Sequence, residues 1–391
     1  MKLSSAMSRL GTETAFEVLV RAKALEAKGK DVVHLEIGEP DFDTPRNIID
    51  AGCDALQSGW THYGPSAGLP DLREAISTYL NRSRNTGYKA ENVIVTPGGK
   101  PIMFFVILAL LEPGDEAIYP NPGFPIYESM INFTGAKAVP SPIRESNQFA
   151  LDVDELEGLI TPKTKLLIIN SPGNPTSGVL PRVDIERIAE LAVKHDLIVL
   201  SDEIYSEIIY EGEHVSIATM PGMTERTIVL DGFSKTYAMT GWRLGYGAMP
   251  VDFAGQINKL MVNSVSCTSV AVQRAGIEAL EGPQDDVRAM VAAFKARRDI
   301  MVEGLNAIPG VTCLNPKGAF YVFPNISGTG KSSREFADSL LDEHGVASLA
   351  GTSFGQHGEG YLRLSYANSE ENLRKALDRI RCAAEASRGR N

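Results

Sequence analysis

Cysteine is scarce in this chain, with four among 391 residues, at Cys53, Cys267, Cys313 and Cys382. They are far apart, form no CxxC pair and share no Cys/His ligand spacing. Neither a disulfide framework nor a metal site is expected; free thiols in a reducing, cytoplasmic compartment are. A surplus of positive charge is also missing: 38 Lys+Arg stand against 49 Asp+Glu, a formal net charge of -11. Nucleic-acid binding needs a basic face, so that class is set aside, and the negative charge reads as solubility. Long apolar runs are absent too. The stretch PIMFFVILALLEPGD is too short to span a bilayer and ends in turn residues. The N-terminal MKLSSAMSRLGTETAFEVLV lacks the apolar core of a signal peptide. No membrane and no nucleic-acid partner is expected.

The composition that remains is globular, 43% hydrophobic and 22% charged, and the length suggests about two domains. Short apolar runs alternate with amphipathic stretches of helical length. The runs are NVIVT (92–96), EAIYP (116–120), KLLIIN (165–170), LIVLS (197–201), TIVLD (227–231) and RLGYGAM (243–249). Between them PRVDIERIAELAVKHD (181–196) places Ile185, Ile188, Ala189 and Ala192 on one helical face. Continuous apolar runs are the mark of strands covered on both faces, so an α/β layer with a largely parallel sheet is expected. After about residue 285 the texture changes to a long charged helix, the short strands GAFYVFPN and YLRLSYA, and a last helix, a smaller α+β unit. The expected division is 46–285 for the large domain, with 1–45 and 286–391 forming the small one.

In open α/β sheets ligands bind beyond the carboxyl ends of the strands. VIVT leads to Gly98, Gly99 and Lys100, a glycine turn opening a helix. Backbone N–H groups there suit an anion, although glycine turns before helices are common and the spacing matches neither the P-loop nor GxGxxG. LLIIN leads to SPGNPTSG and Asn174. LIVLS leads to Asp202 and, three residues on, Tyr205; a capping aspartate and a half-buried tyrosine are the plain alternatives. TIVLD leads to GFSK and Lys235, with Arg243 eight residues later. A lysine in a tight glycine-flanked loop is either exposed or used. Desolvation or a neighbouring cation would make its amine a nucleophile toward a carbonyl. In YLRLSYA, Leu362 and Leu364 share one strand face while Tyr361, Arg363 and Ser365 share the other. An arginine there needs a partner, in a salt bridge or a ligand.

SDEIY, SPGNPTSG and DGFSKTYAMTGWRLGY resemble the class I and II aminotransferases that use pyridoxal phosphate, of the fold type I group. IGEPDFDTP, THYGPSAGLPDLREAI, NPGFPIYESM, GAFYVF and YLRLSYANSEENLRKAL fit in the same order, so the resemblance covers nearly the whole chain. It is strongest to the bacterial aspartate-aminotransferase-like subgroup. The resemblance implies a mostly parallel seven-stranded sheet between helices plus a smaller α+β domain. It implies pyridoxal 5'-phosphate as cofactor, joined to Lys235 as a Schiff base. Asp202 would pair with the ring nitrogen, Tyr205 and Asn174 would bond the ring's 3-oxygen, and Phe124 would stack on the ring. Gly98, Gly99, Lys100, Ser234 and Arg243 would hold the phosphate, with Tyr63 reaching the neighbouring site of a homodimer. Arg363, Asn174 and the backbone at Gly38 would hold the substrate carboxylate. One departure stands out. Many relatives carry Ser or Thr three residues before the lysine, and here that residue is Gly232.

The implied activity is a ping-pong transfer of an amino group from an L-amino acid to a 2-oxo acid, with Lys235, Asp202 and Tyr205 as the catalytic set. Glutamate with 2-oxoglutarate is the expected pair. A β-lyase or synthase on the same fold is the alternative. A second arginine for acidic side chains is missing from INKLMVNSVSCTSVAVQ (257–273), where Lys100 or Lys259 could substitute and Phe16 could favour apolar donors.

Overall fold

The apolar runs pair into one seven-stranded sheet in a computed structural model that describes residues 1–388. From one edge to the other the strands are Val93–Thr96, Gly245–Ala248, Thr227–Gly232, Ile198–Asp202, Thr164–Asn170, Glu116–Asn121 and Lys137–Pro142. All pair in parallel except Gly245–Ala248, which runs antiparallel to both neighbours. The edge strand Lys137–Pro142 is not expected from sequence. Its KAVPSP has two prolines and no continuous apolar run, and prolines are tolerated at an edge, where one strand side has no ladder to feed.

Alternation decides how the sheet is covered. Leu166 and Ile168 pack with Ile102, Val106 and Ile131 on one face. Leu167 and Ile169 pack with Ile185, Ile188 and Ala192 on the other. Successive strand side chains point to opposite faces, so a run apolar at every position demands helices on both. Each Leu or Ile so buried contributes about 2 kcal/mol. The expected helix at 181–196 is Arg182–Lys194, with its four inward residues buried.

The second layer is built from both ends of the chain. Val33–His34 pairs in parallel with Val346–Ala347, and Leu349–Ala350, Leu362–Ser365 and Tyr321–Val322 form a small antiparallel sheet. The helices Asp285–Asn306 and Glu370–Arg388 cover it. Tyr205 and Ile208, just past a strand of the large sheet, belong to the same apolar cluster, which ties the two layers together.

Beneath the strand ends lies a buried charge network. Arg84, at the end of the helix Pro70–Arg84, faces Glu203 at 3.1 Å and Asp231, and also donates to the Ser206 hydroxyl. Glu203 further accepts from Ser201, Ser216 and His214. Burial alone would raise the Glu203 carboxyl, but His214 and Arg84 hold it down to about 2. Asp231 accepts from the Gly232 amide at 2.6 Å and from the Tyr246 hydroxyl at 3.2 Å. Glu203 is the neighbour of Asp202 and Asp231 lies four residues before Lys235, so one guanidinium fixes the two strand ends that carry the expected chemistry. Replacing Arg84 by Met leaves two carboxylates buried without their shared cation. The expected loss is about 3–5 kcal/mol of folding stability, read from the unfolding midpoint in denaturant.

Candidate active site

The four strand ends converge on one cavity of about 900 Å³. Its floor is Asp202, the last residue of the strand Ile198–Asp202. The carboxylate accepts from the Tyr127 hydroxyl at 2.6 Å and weakly from the Ile204 amide at 3.3 Å. It has no ion-pair partner among the described residues. Burial, helped by the nearby Asp231 and Glu203, raises it to about 6. Asn170, at the end of the adjacent strand, donates to the Asp202 carbonyl at 3.0 Å and accepts the Asn174 amide at 2.8 Å. That bond turns the SPGNP loop back over the sheet and puts Asn174 in the wall.

Lys235 lies across the cavity, part-buried, with its Nζ donating to the Gly38 carbonyl at 2.5 Å. Its ammonium stands 5.9 Å from the centre of the Phe320 ring. Desolvation lowers the amine to about 8; Glu39 opposes the shift, and the positive fields of Arg363, Lys100 and Arg243 add to it. A neutral amine is therefore available near physiological pH, as a nucleophile or base requires.

The expected anion site is built by backbone strain and close approach. Gly98 has φ +89 and Arg243 has φ +55, both in the left-handed region. The Arg243 guanidinium lies against Gly98, where a Cβ would come within 3.0 Å of Arg243 Cζ and nearer still to Nη2. Ser234 is buried in the cavity wall. The missing hydroxyl at Gly232 has a packing reason: Gly232 pairs with Gly245 across the ladder, and a Cβ there would lie 3.0 Å from Gly245 Cα.

Arg363 closes the far wall. It is buried between the rings of Tyr321 at 4.6 Å and Phe354 at 4.9 Å. Its guanidinium donates to Asn174 Oδ1 at 3.2 Å and to the Glu36 carbonyl, while Nε has no hydrogen-bond partner among the described residues. A buried cation without a carboxylate beside it is a place for one. Tyr205 shares a hydrogen bond with the Tyr321 hydroxyl at 2.8 Å, and both line the cavity. A Cβ at Gly38 would run into that Tyr321 hydroxyl, so glycine lets the backbone come this close.

The cavity therefore gathers Gly38, Gly99, Lys100, Phe124, Asn174, Asp202, Tyr205, Ser234, Lys235, Arg243 and Arg363, with Gly98 directly behind Arg243. Tyr63 stands apart, 89% exposed and outside the cavity. Of the two lysines considered for acidic side chains, Lys100 lines the cavity. Lys259 is exposed and bonds Gln256 on its own helix. Phe16 lines the mouth. Sequence reasoning passes over Tyr127, Tyr321 and Glu13. Tyr127 stands three residues after Phe124, in the first turn of the helix Ile126–Thr134, a spacing that could have flagged it. Glu13 meets Lys100 across 87 positions of sequence, which no local pattern reveals.

Among the described residues, a buried carboxylate without a cation, a lysine with a depressed pKa and an arginine-lined glycine turn are features that would suit an anionic, electron-withdrawing carbonyl cofactor. The described residues fit pyridoxal phosphate: the ring nitrogen would supply Asp202 with its missing cation. Comparison with known proteins agrees. The family model "Aminotransferase class I and II" matches residues 30–380. An aspartate aminotransferase of Pyrococcus abyssi is 44% identical over 90% of this chain and 91% of its own length. An arginine–pyruvate transaminase of Pseudomonas aeruginosa is 41% identical over 95% of each chain. The structure of a Thermus thermophilus aspartate aminotransferase with maleate superposes with a TM-score of 0.94 at 39% identity, covering 98% of this chain and 100% of that one. The chain belongs to the class I and II aminotransferases, a family of pyridoxal-phosphate-dependent transaminases.

Gly98→Ala tests the anion site. The new methyl meets both a disfavoured φ and the Arg243 guanidinium, so a loss of about 1–3 kcal/mol in unfolding free energy is expected. At Gly59, with φ +84 and nothing within 4 Å of a Cβ, the same change is expected to cost less.

Proposed function

We propose that the protein moves the amino group of an L-amino acid to a 2-oxo acid by a ping-pong mechanism, with glutamate and 2-oxoglutarate as one pair. The observation that carries this reading is Asp202 held buried without a cation in the same cavity as a lysine of lowered pKa and an unsaturated buried arginine. Bound there, pyridoxal phosphate supplies an electron sink for the charge that develops at the substrate α-carbon. The chain's own groups take the remaining roles. Asp202 would keep the ring nitrogen protonated, and Tyr127 keeps Asp202 oriented. Lys235 would be the covalent anchor, and its Nζ, when free, would take the proton from the substrate α-carbon, a role typically worth about 10²–10⁴-fold. Tyr205 and Asn174 would bond the ring's 3-oxygen. Phe124 would lie against the ring, and Gly98, Gly99, Lys100 through its backbone, Ser234 and Arg243 would take the phosphate. Arg363 with Asn174 fixes the α-carboxylate through a forked pair of hydrogen bonds.

Tyr63, exposed on a single chain, is assigned to the phosphate of a second copy in a homodimer. The division of the chain at 46 and 285 is proposed on the same footing, residues 46–285 holding the cofactor and the two ends closing over the substrate. The cytoplasm is the proposed compartment, in keeping with four free thiols. Among the described residues no helix is long and apolar enough to cross a membrane.

The experiment is the visible absorbance of the loaded protein while L-amino acids are added singly. Loss of the cofactor band with one equivalent of 2-oxo acid supports transfer; ammonia release supports the lyase alternative instead. Lys235→Ala is expected to abolish turnover and leave the cofactor bound without a covalent link, and a fully active variant sinks the reading. The depressed pKa also fixes a pH dependence. Below about pH 8 the amine is protonated, so covalent capture of added pyridoxal phosphate by the cofactor-free protein should rise about tenfold per pH unit. Above that the rate should level off. A rate still climbing at pH 10 would show an unperturbed lysine.

A further inference from the structure

The helix Thr14–Glu26 starts at Glu13, whose side chain makes no capping bond to its own helix. Instead the carboxylate crosses the cavity mouth to Lys100 Nζ, its one ion pair among the described residues. The two are unequal. Glu13 is 18% exposed in its side chain and bonds nothing else there, while Lys100 is 48% exposed and lies 5.4 Å over the Phe124 ring. With the α-carboxylate at Arg363 and the α-carbon at Lys235, a substrate side chain points to this mouth, past Phe16 and Leu19. Two more carboxylates line it: Glu39, which accepts from the Thr240 hydroxyl at 2.9 Å and has no ion-pair partner among the described residues, and Asp41, paired with Arg297.

A substrate with a charged end must open the Glu13–Lys100 pair, and the sign of its charge decides the cost. A distal carboxylate takes Lys100, stranding Glu13 beside a like charge in a cavity that Glu39 also lines. A distal ammonium or guanidinium takes Glu13 and releases Lys100, which keeps its water and its place over the Phe124 ring. We propose that Glu13 is a specificity-determining residue that favours amino donors with a cationic side-chain end, the class of L-arginine and L-lysine, and handicaps dicarboxylic ones. This rests on the aminotransferase reading above. It gives the site a repulsive element as well as an attractive one, which is how specificity between similar ligands is commonly obtained. The handicap applies equally to glutamate and 2-oxoglutarate, which bind by capturing Lys100 against Glu13 and so work as a pair at reduced affinity.

The test compares L-arginine and L-glutamate as donors to a common neutral acceptor, pyruvate, in the loaded protein and in Glu13→Gln. The kcat/KM ratio of arginine to glutamate is expected to fall by about a hundredfold, about tenfold from each side. Lys100→Gln is expected to move the ratio the other way. The dissociation constant of maleate, followed spectroscopically without turnover, should fall about tenfold in Glu13→Gln and rise in Lys100→Gln. A donor ratio and a maleate affinity that stay within about threefold in both variants overturn the proposal. If the unsubstituted protein turns over no amino donor at all, the aminotransferase reading itself fails. If it turns over donors whose ratio ignores Glu13, only the selector fails.

Discussion

The structure is organised around a carboxylate taken out of water with no cation to meet it among the described residues. Asp202 ends a central strand, buried, holding one strong hydrogen bond from Tyr127. A lone buried charge is expensive, and here the cost shows as a carboxyl raised to about 6. A pyridinium beside Asp202 would remove that cost, so a carboxylate buried in this way favours a cationic ring. Lys235 shows the converse. Its amine loses charge on desolvation among Arg363, Lys100 and Arg243, and the neutral form is the one that attacks a carbonyl. Two opposite shifts in one cavity give an acid partner that stays ionised when paired and an amine that stays reactive.

Such a site holds only if the strand ends cannot move. Arg84 joins Glu203, next to Asp202, to Asp231, four residues before Lys235, from the far side of the sheet. A buried guanidinium between two carboxylates is a weak source of net stability, because desolvation offsets much of the attraction. Its value here is geometric: sliding either strand breaks hydrogen bonds that no water can replace. The Gly232–Gly245 pairing does the same by steric means, letting two backbones approach too closely for a side chain between them.

Much of this is legible in the sequence because it is local. Continuous apolar runs announce buried strands, and the residue after each run announces its site, since a parallel sheet brings the carboxyl ends of its strands to one edge. Asp202, Asn174, Lys235 and Gly98 all obey that rule. The edge strand Lys137–Pro142 escapes it because an edge needs neither a continuous apolar run nor every amide. The Glu13–Lys100 pair escapes for a different reason. Its partners come from a helix start and a glycine turn in separate layers, and only the packing of the chain's two ends over the sheet brings them together.

That split also separates two kinds of constraint. The cofactor end of the cavity is carried by central strands, buried on both faces and locked by Arg84, where most substitutions disturb the fold. The side-chain end is carried by a helix that rests on the outer layer through Arg21 to Asp338 at 2.6 Å and Asp342 at 3.0 Å, and through Glu26 to His34 at 3.1 Å. Those contacts are partly exposed and each contributes little. Residues such as Glu13 and Phe16 can therefore change at small cost to stability while the chemistry beneath stays fixed. Relatives named for different amino donors fit that arrangement, in which the reaction would belong to the sheet and the choice of substrate to the segment laid across it.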